Sequence, residues 1–109
     1  MIHFLKNIAR KSAFAKALYW KTIFLTKAVR YDFFSPRRLM LFLKVRPFTM
    51  VSYERLKNTY ELAESLEKRN IAGAFVECGV WKGGAAAVMA VASAKKKEKR
   101  QIWLFDSFE

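Results

Sequence analysis

What this chain lacks narrows it first. A single cysteine, Cys78, excludes an internal disulfide and fits a reducing compartment. The two prolines stand at Pro36 and Pro47, and all four glycines lie beyond residue 72, so the opening stretch is free of helix breakers. No apolar run reaches the roughly 20 residues needed to span a bilayer. The start, MIHFLKNIARK, has no long apolar core before a small-residue cleavage site, which argues against a secretory signal and for a cytoplasmic protein. Serine is too scarce, and lysine too dominant over arginine, for an organelle transit peptide. Internal repeats and low-complexity tracts are also missing. With 53% hydrophobic and 16% aromatic residues, the 109-residue chain is not disordered, and it can build one modest core.

Acid is scarce in one half only. Residues 1–50 carry 11 Lys/Arg against the single acid Asp32, whereas residues 51–109 carry 10 against eight acids. The excess positive charge therefore belongs to the front of the chain. Ile2 to Arg30 reads as one or two helices, with Phe4, Leu5 and Ile8 on one side and Lys6 and Arg10 opposite. That separation degrades at Phe14, Trp20 and Phe24. Residues 1–44 read as a basic helical extension, with three uses open: packing on a domain or another subunit, contact with an anionic membrane surface through residues 1–30, and nucleic-acid binding. The last is disfavoured because no patterned basic face or nucleic-acid module is visible. His3 has no visible partner and carries no assignment.

From residue 45 the pattern changes. Ser35 and Pro36 suit the start of a short helix that Pro47 stops near Val45. Ser52 is placed to cap a helix over YERLKNTYELAESLEKRN, where Tyr53, Leu56, Tyr60, Ala63 and Leu66 recur at helical spacing, with Asn70 and Gly73 at its end. AFVECGV reads as a buried strand, KGGAAAVMAVASAKKK as a helix of small residues ending in basic ones, and RQIWLFD as a second strand. Strand, glycine turn, helix and strand within about 30 residues form a βαβ unit with parallel strands. The expected class is α/β.

Ligands in such units bind beyond the carboxyl ends of the strands. Gly79 allows a sharp turn there, and Gly83 and Gly84 let backbone or ligand approach the helix start. The spacing Glu77-x-Gly79-x-x-x-Gly83 is one residue longer than the dinucleotide fingerprint, which disfavours a dehydrogenase, and the P-loop ending is missing. Glu77 puts negative charge beside the turn, and Asp106 ends the second strand where an acid can accept from ribose hydroxyls. Together they suit S-adenosylmethionine, with its amino-acid end, sulfonium and ribose. Each carboxylate also has a plain alternative: Glu77 as a cap on local backbone amides, and Asp106 as the start of an ordinary loop. Trp81 and Lys82 either cover a ligand or pack the loop. Lys82 as a base and Cys78 as a nucleophile are both disfavoured, and Lys95 to Arg100 reads as the solvated end of a helix.

Three blocks, RPFTMVSYERL, FVECGVWKGGAAAVM and LFDSFE, closely resemble the macrocin O-methyltransferase family (TylF/MycF type) over roughly Val45 to Glu109. The resemblance implies a Rossmann-like class I methyltransferase fold, of which residues 45–109 hold only the first βαβ unit, preceded by N-terminal helices. It implies S-adenosylmethionine as cofactor, with Glu77, Gly79, Val80, Trp81 and Gly83 around its methionine portion. Asp106, Ser107 and Phe108 would serve the ribose and adenine, and Thr49 and Met50 part of a lid. It also implies methyl transfer to a hydroxyl of a sugar, glycoside or other small-molecule acceptor, with Mg2+. In that family DSFE runs on into a glycine-leucine-proline turn and later strands that hold the metal-binding aspartates and the base. No catalytic or metal residue is therefore assigned, and the isolated chain is expected to be inactive. A non-enzymatic basic module that binds membranes or partners is the alternative, and an oligomer is compatible with either.

Overall fold

The computed structural model describes residues 1–107, except for the side chains of residues 5, 6 and 8–11. Among these residues the order is α1 (Ile2–Asp32), α2 (Pro36–Val45), a 3₁₀ turn (Arg46–Phe48), α3 (Tyr53–Lys68), β1 (Phe75–Cys78), α4 (Gly84–Ser93) and β2 (Ile102–Phe105). The opening stretch is a single helix of 31 residues, consistent with its lack of Gly and Pro. Pro36 occupies the first turn of α2, where its missing N–H is not needed, and the 3₁₀ turn around Pro47 closes that helix. Ser52 caps α3, its hydroxyl accepting from the Arg55 amide at 3.4 Å.

Two core clusters hold the elements together. In the first, Phe24 and Ala28 of α1 and Phe42 and Val45 of α2 meet Tyr53 and Leu56 of α3 and Val88 of α4. The Tyr53 ring takes Phe24 and Phe42 edge-on, at 5.1 and 5.2 Å between centroids. The last three turns of α1 thus contribute to the core, while most of its earlier length is exposed. In the second cluster, Ala63 of α3, Phe75 of β1 and Ala92 of α4 pack with Leu66, Met89 and Ile102.

Under the first cluster lies a buried charge. Asp32, the only acid in the first 50 residues, is fully buried. Its carboxylate accepts from the Arg38 guanidinium, at 2.5 Å from Nε, and from the Tyr53 hydroxyl. Arg38 also reaches Glu61 of α3 at 3.1 Å. Burial, and then the bond to Asp32, push the Tyr53 phenol well above its ordinary range, so it remains a donor. One carboxylate therefore ties the end of α1 to α2 and α3.

β1 and β2 form the expected parallel pair, in register Phe75↔Ile102, Val76↔Trp103, Glu77↔Leu104 and Cys78↔Phe105, with α4 as the crossover. The expected buried strand is only half realised. Phe75 is buried among the helices, but Val76, Cys78, Trp103 and Phe105 are exposed. The reason is geometric: strand side chains alternate, and α3 and α4 cover one face of the two-stranded sheet only in part, so that Leu104 on that face is exposed as well. α4 also stops at Ser93, short of the lysines. Lys95 turns to Glu64 at 3.3 Å, and Lys96 to Asn70 at 2.6 Å and Glu67 at 3.6 Å, so tertiary pairing ends the helix before the basic run.

Arg38→Met leaves Asp32 buried without its cation and should cost about 3–5 kcal/mol, whereas Tyr53→Phe should cost only about 1–2 kcal/mol. Urea unfolding of the two variants checks that ranking.

Candidate functional site

The site grows from the end of β1. Beyond Cys78 the Gly79 amide still bonds the Phe105 carbonyl at 2.8 Å, so the chain leaves the sheet in register. It then reverses through left-handed backbone at Gly79 (φ 79°), Trp81 (φ 52°) and Gly83 (φ 84°), and Gly83 caps α4. The two glycines adopt such angles without steric penalty, while Trp81 adopts one at a cost. The Gly83 amide bonds the Val80 carbonyl at 3.1 Å and closes the turn. Val80 is buried beneath it, and the half-exposed Trp81 carries the Lys82 ammonium 4.8 Å from its ring centre.

What fixes this turn is Asp106. One carboxylate oxygen, Oδ2, accepts from the Val80 amide at 2.7 Å and the Trp81 amide at 3.0 Å. The other accepts from the Ser107 amide at 2.7 Å. These backbone bonds, from Trp81, Ser107 and Val80, hold the Asp106 carboxyl below its ordinary range. A carboxylate has about four lone-pair directions, two on each oxygen, so with Oδ2 filled one acceptor direction remains, on Oδ1.

Glu77 has the opposite environment. Its Oε2 is buried and finds no hydrogen-bond partner among the described residues. Burial first, and then the charge of Asp106, push its carboxyl above the ordinary range. Each carboxylate thus lies within reach of the other's field at one end of the sheet. An unsatisfied acceptor at a strand end suits a ligand that brings a donor or a positive charge.

The 46–49 segment is brought to the same place by Gly84. A side chain at Gly84 would come within 2.7 Å of the Phe48 carbonyl oxygen and the Thr49 Cβ, so the segment lies directly on the start of α4. The expected approach to Gly84 is therefore made by backbone. Thr49 is buried and its hydroxyl accepts from the Val51 amide at 3.2 Å, while Met50 is exposed. Of the ten residues expected at a cofactor site, Glu77, Gly79, Val80, Trp81, Gly83, Asp106 and Ser107 gather at the turn, Thr49 lies at the start of α4 and Met50 follows it. Phe108 lies outside the described residues. Among the described residues no three His, Cys, Asp or Glu side chains come together as metal ligands, and no helix is long and apolar enough to cross a membrane.

Sequence reasoning missed the second role of Asp106, as the anchor of the glycine turn. The available signal was parallel pairing itself, which sets the ends of β1 and β2 side by side. It also missed Arg100, whose guanidinium bonds Glu67 at 2.5 Å and the carbonyls of Gly73 at 2.7 Å and Ile71 at 2.5 Å, clamping the entry to β1. Its neighbours at Lys95–Lys99 masked it as one more solvated charge.

Comparison with known proteins follows this geometry. The family described as Macrocin-O-methyltransferase (TylF) matches residues 27–109. Over 62 residues the chain is 37% identical to demethyldecarbamoylnovobiocin O-methyltransferase of Streptomyces niveus. It is 40% identical to 8-demethyl-8-(2,3-dimethoxy-alpha-L-rhamnosyl)-tetracenomycin-C 4'-O-methyltransferase of Streptomyces olivaceus, and 34% to mycinamicin III 3''-O-methyltransferase of Micromonospora griseorubida. Each similarity covers 56% of this chain and 24% of the relative, so the chain spans about a quarter of the length of these curated relatives. No solved structure matches it with significance.

Asp106→Ala should speed hydrogen exchange at the Val80 and Trp81 amides by roughly tenfold or more while the Phe75 amide stays protected. Exchange measured residue by residue tests this. A second expectation concerns Glu77. Its raised carboxyl contributes stability that is full below the ordinary glutamate value and is lost as pH rises through the raised one. Glu77→Gln should therefore be at least as stable as the parent at neutral pH, with a flatter acid-to-neutral profile in thermal melts.

Proposed function

The chain belongs to the macrocin-O-methyltransferase (TylF) family, and on that premise we propose that its glycine turn forms the methyl-donor half-site of an S-adenosylmethionine-dependent O-methyltransferase. One observation carries the reading: Glu77 and Asp106 close neighbouring parallel strands around one turn, and Glu77 keeps a buried oxygen without a partner. The residues fit the cofactor. Glu77 offers an acceptor to its amino group and a negative field to its positively charged end. Asp106 fixes the turn through Oδ2 and keeps one acceptor direction, on Oδ1, for a ribose hydroxyl. The amides at the start of α4 favour the carboxylate. Gly79, Val80, Trp81 and Gly83 shape the bed, Ser107 and Phe108 extend it toward the base, and Thr49 and Met50 supply part of a cover. When bound, the cofactor supplies an electrophilic methyl group on a sulfonium that leaves as a neutral thioether.

The acceptor in this reading is a hydroxyl of a sugar or glycoside. The rhamnosyl 4'-O and mycinamicin 3''-O positions named for two relatives support that class. Transfer needs the hydroxyl aligned with the methyl carbon and a base to take its proton. No residue of this chain is assigned as that base or as a magnesium ligand, and the 109 residues alone should show no turnover. Residues 45–109 then supply the cofactor half-site, and residues 1–44 the helical part that supports it. The family match, from residue 27, also takes in α2 and the buried end of α1. The exposed length of α1 favours a separate surface role, which does not compete with methyl transfer.

Titration calorimetry with S-adenosylhomocysteine and with NAD tests the proposal. The chain should bind the first and not the second, and Glu77→Gln and Asp106→Asn should each weaken binding by about tenfold or more. Binding by the parent should strengthen as pH rises through the raised Glu77 range, and Glu77→Gln should lose that dependence. Binding indifferent to both substitutions, or a preference for NAD, overturns it.

A further inference from the structure

α1 carries apolar residues on several bearings, and the core uses only Phe24 and Ala28 among them. Phe24 and Ala28 point into the first cluster. Phe4, Phe14, Leu18, Leu25 and Val29 do not: all five are exposed, between 42% and 70%. At about 100° per residue they fall within an arc of roughly 80°. Phe14, Leu18, Leu25 and Val29 form one stripe over the second half of the helix, turned away from the body even where Phe24 and Ala28 are buried, and Phe4 lies on the same bearing. Asn7, Lys11 and Thr22 interrupt it by sequence position. The described Lys21 and Arg30, both exposed, lie on either side of the stripe. From Ile2 to Tyr31 the helix carries seven Lys/Arg and no acid, and of these Lys27 is already paired with Glu54 of α3 at 2.5 Å.

We propose that this stripe of α1 lies on an anionic lipid surface, with Phe14, Leu18 and Leu25 at the headgroup boundary and the flanking Lys and Arg on lipid phosphates. The charge selects that occupant. A second copy would set two acid-free basic helices side by side, with no carboxylate on either to pair the lysines. The interruptions also break the regular spacing that helix pairing requires. A bilayer needs no matching groove, favours aromatics at its interface and attracts an acid-free helix. The helix is roughly 46 Å long at 1.5 Å per residue, in a molecule that measures 62 × 38 × 15 Å.

Co-sedimentation of the 109-residue chain with vesicles tests this without any cofactor. Vesicles of phosphatidylcholine with phosphatidylglycerol should retain the chain about tenfold more strongly than phosphatidylcholine alone, and raised salt should weaken that retention. The double variant Phe14→Ser/Leu18→Ser keeps every charge and should lose about tenfold in vesicle affinity with its helical circular dichroism unchanged. Trp20→Ser, which alters an exposed aromatic off the stripe, should bind within about twofold of the parent. Three results each overturn the proposal: no retention on anionic vesicles at low salt, retention undiminished by the double variant, or self-association by sedimentation velocity that the double variant abolishes while vesicles are ignored. The first would leave an acidic protein as the occupant, and the third a second copy.

Discussion

The site depends on one carboxylate reaching across the sheet. Asp106, at the end of β2, accepts from two successive amides of the turn that leaves β1. Those amides face outward because the backbone passes through left-handed angles at Gly79 and Trp81. Without an anion beside them they would lie at the surface with only water to satisfy them. The bond joins parallel pairing, turn conformation and the start of α4. It further explains the opposite behaviour of the two acids. Asp106 spends its charge on amide donors and is held down, while Glu77 is left desolvated in its field and is held up.

The helical half rests on a different constraint. A fully buried aspartate is unfavourable unless it is compensated, and Asp32 is compensated by groups from two other helices. The geometry that satisfies it also sets where α1, α2 and α3 cross, and Phe24, Phe42 and Tyr53 fill the space that results. α3 and α4 then pack on each other, and the second cluster carries that order into the sheet.

Much of this was legible in the chain because the signals are local. Ser52 and the Tyr53–Leu66 spacing announce α3, and FVEC, GGAAAV and IWLF announce a βαβ unit whose strand ends carry Glu77 and Asp106. The parts that were not legible depend on distant partners. The α1 wheel blurs because Phe24 and Ala28 face the core while Phe14, Leu18 and Leu25 face outward, so one helix carries apolarity in more than one direction. Asp32 stood out only as a lone acid; nothing nearby announces Arg38 and Tyr53 as its partners. α4 ends where lysines find Glu64 and Glu67 on another helix, which a propensity argument within the segment cannot anticipate. The wet face of β1 follows from how many strands lie beside it, a property of the assembly of elements rather than of AFVECGV.

The contact at Gly84 has a mechanical consequence. The first residue of α4 touches the backbone of the 46–49 segment with no room for even a methyl group between them. Parts in such hard contact have no slack. A small axial shift of α4 is passed undamped to Phe48 and Thr49, as a pushrod moves a latch. The start of α4 and the 46–49 segment then move as a single linkage, with glycine as the bearing.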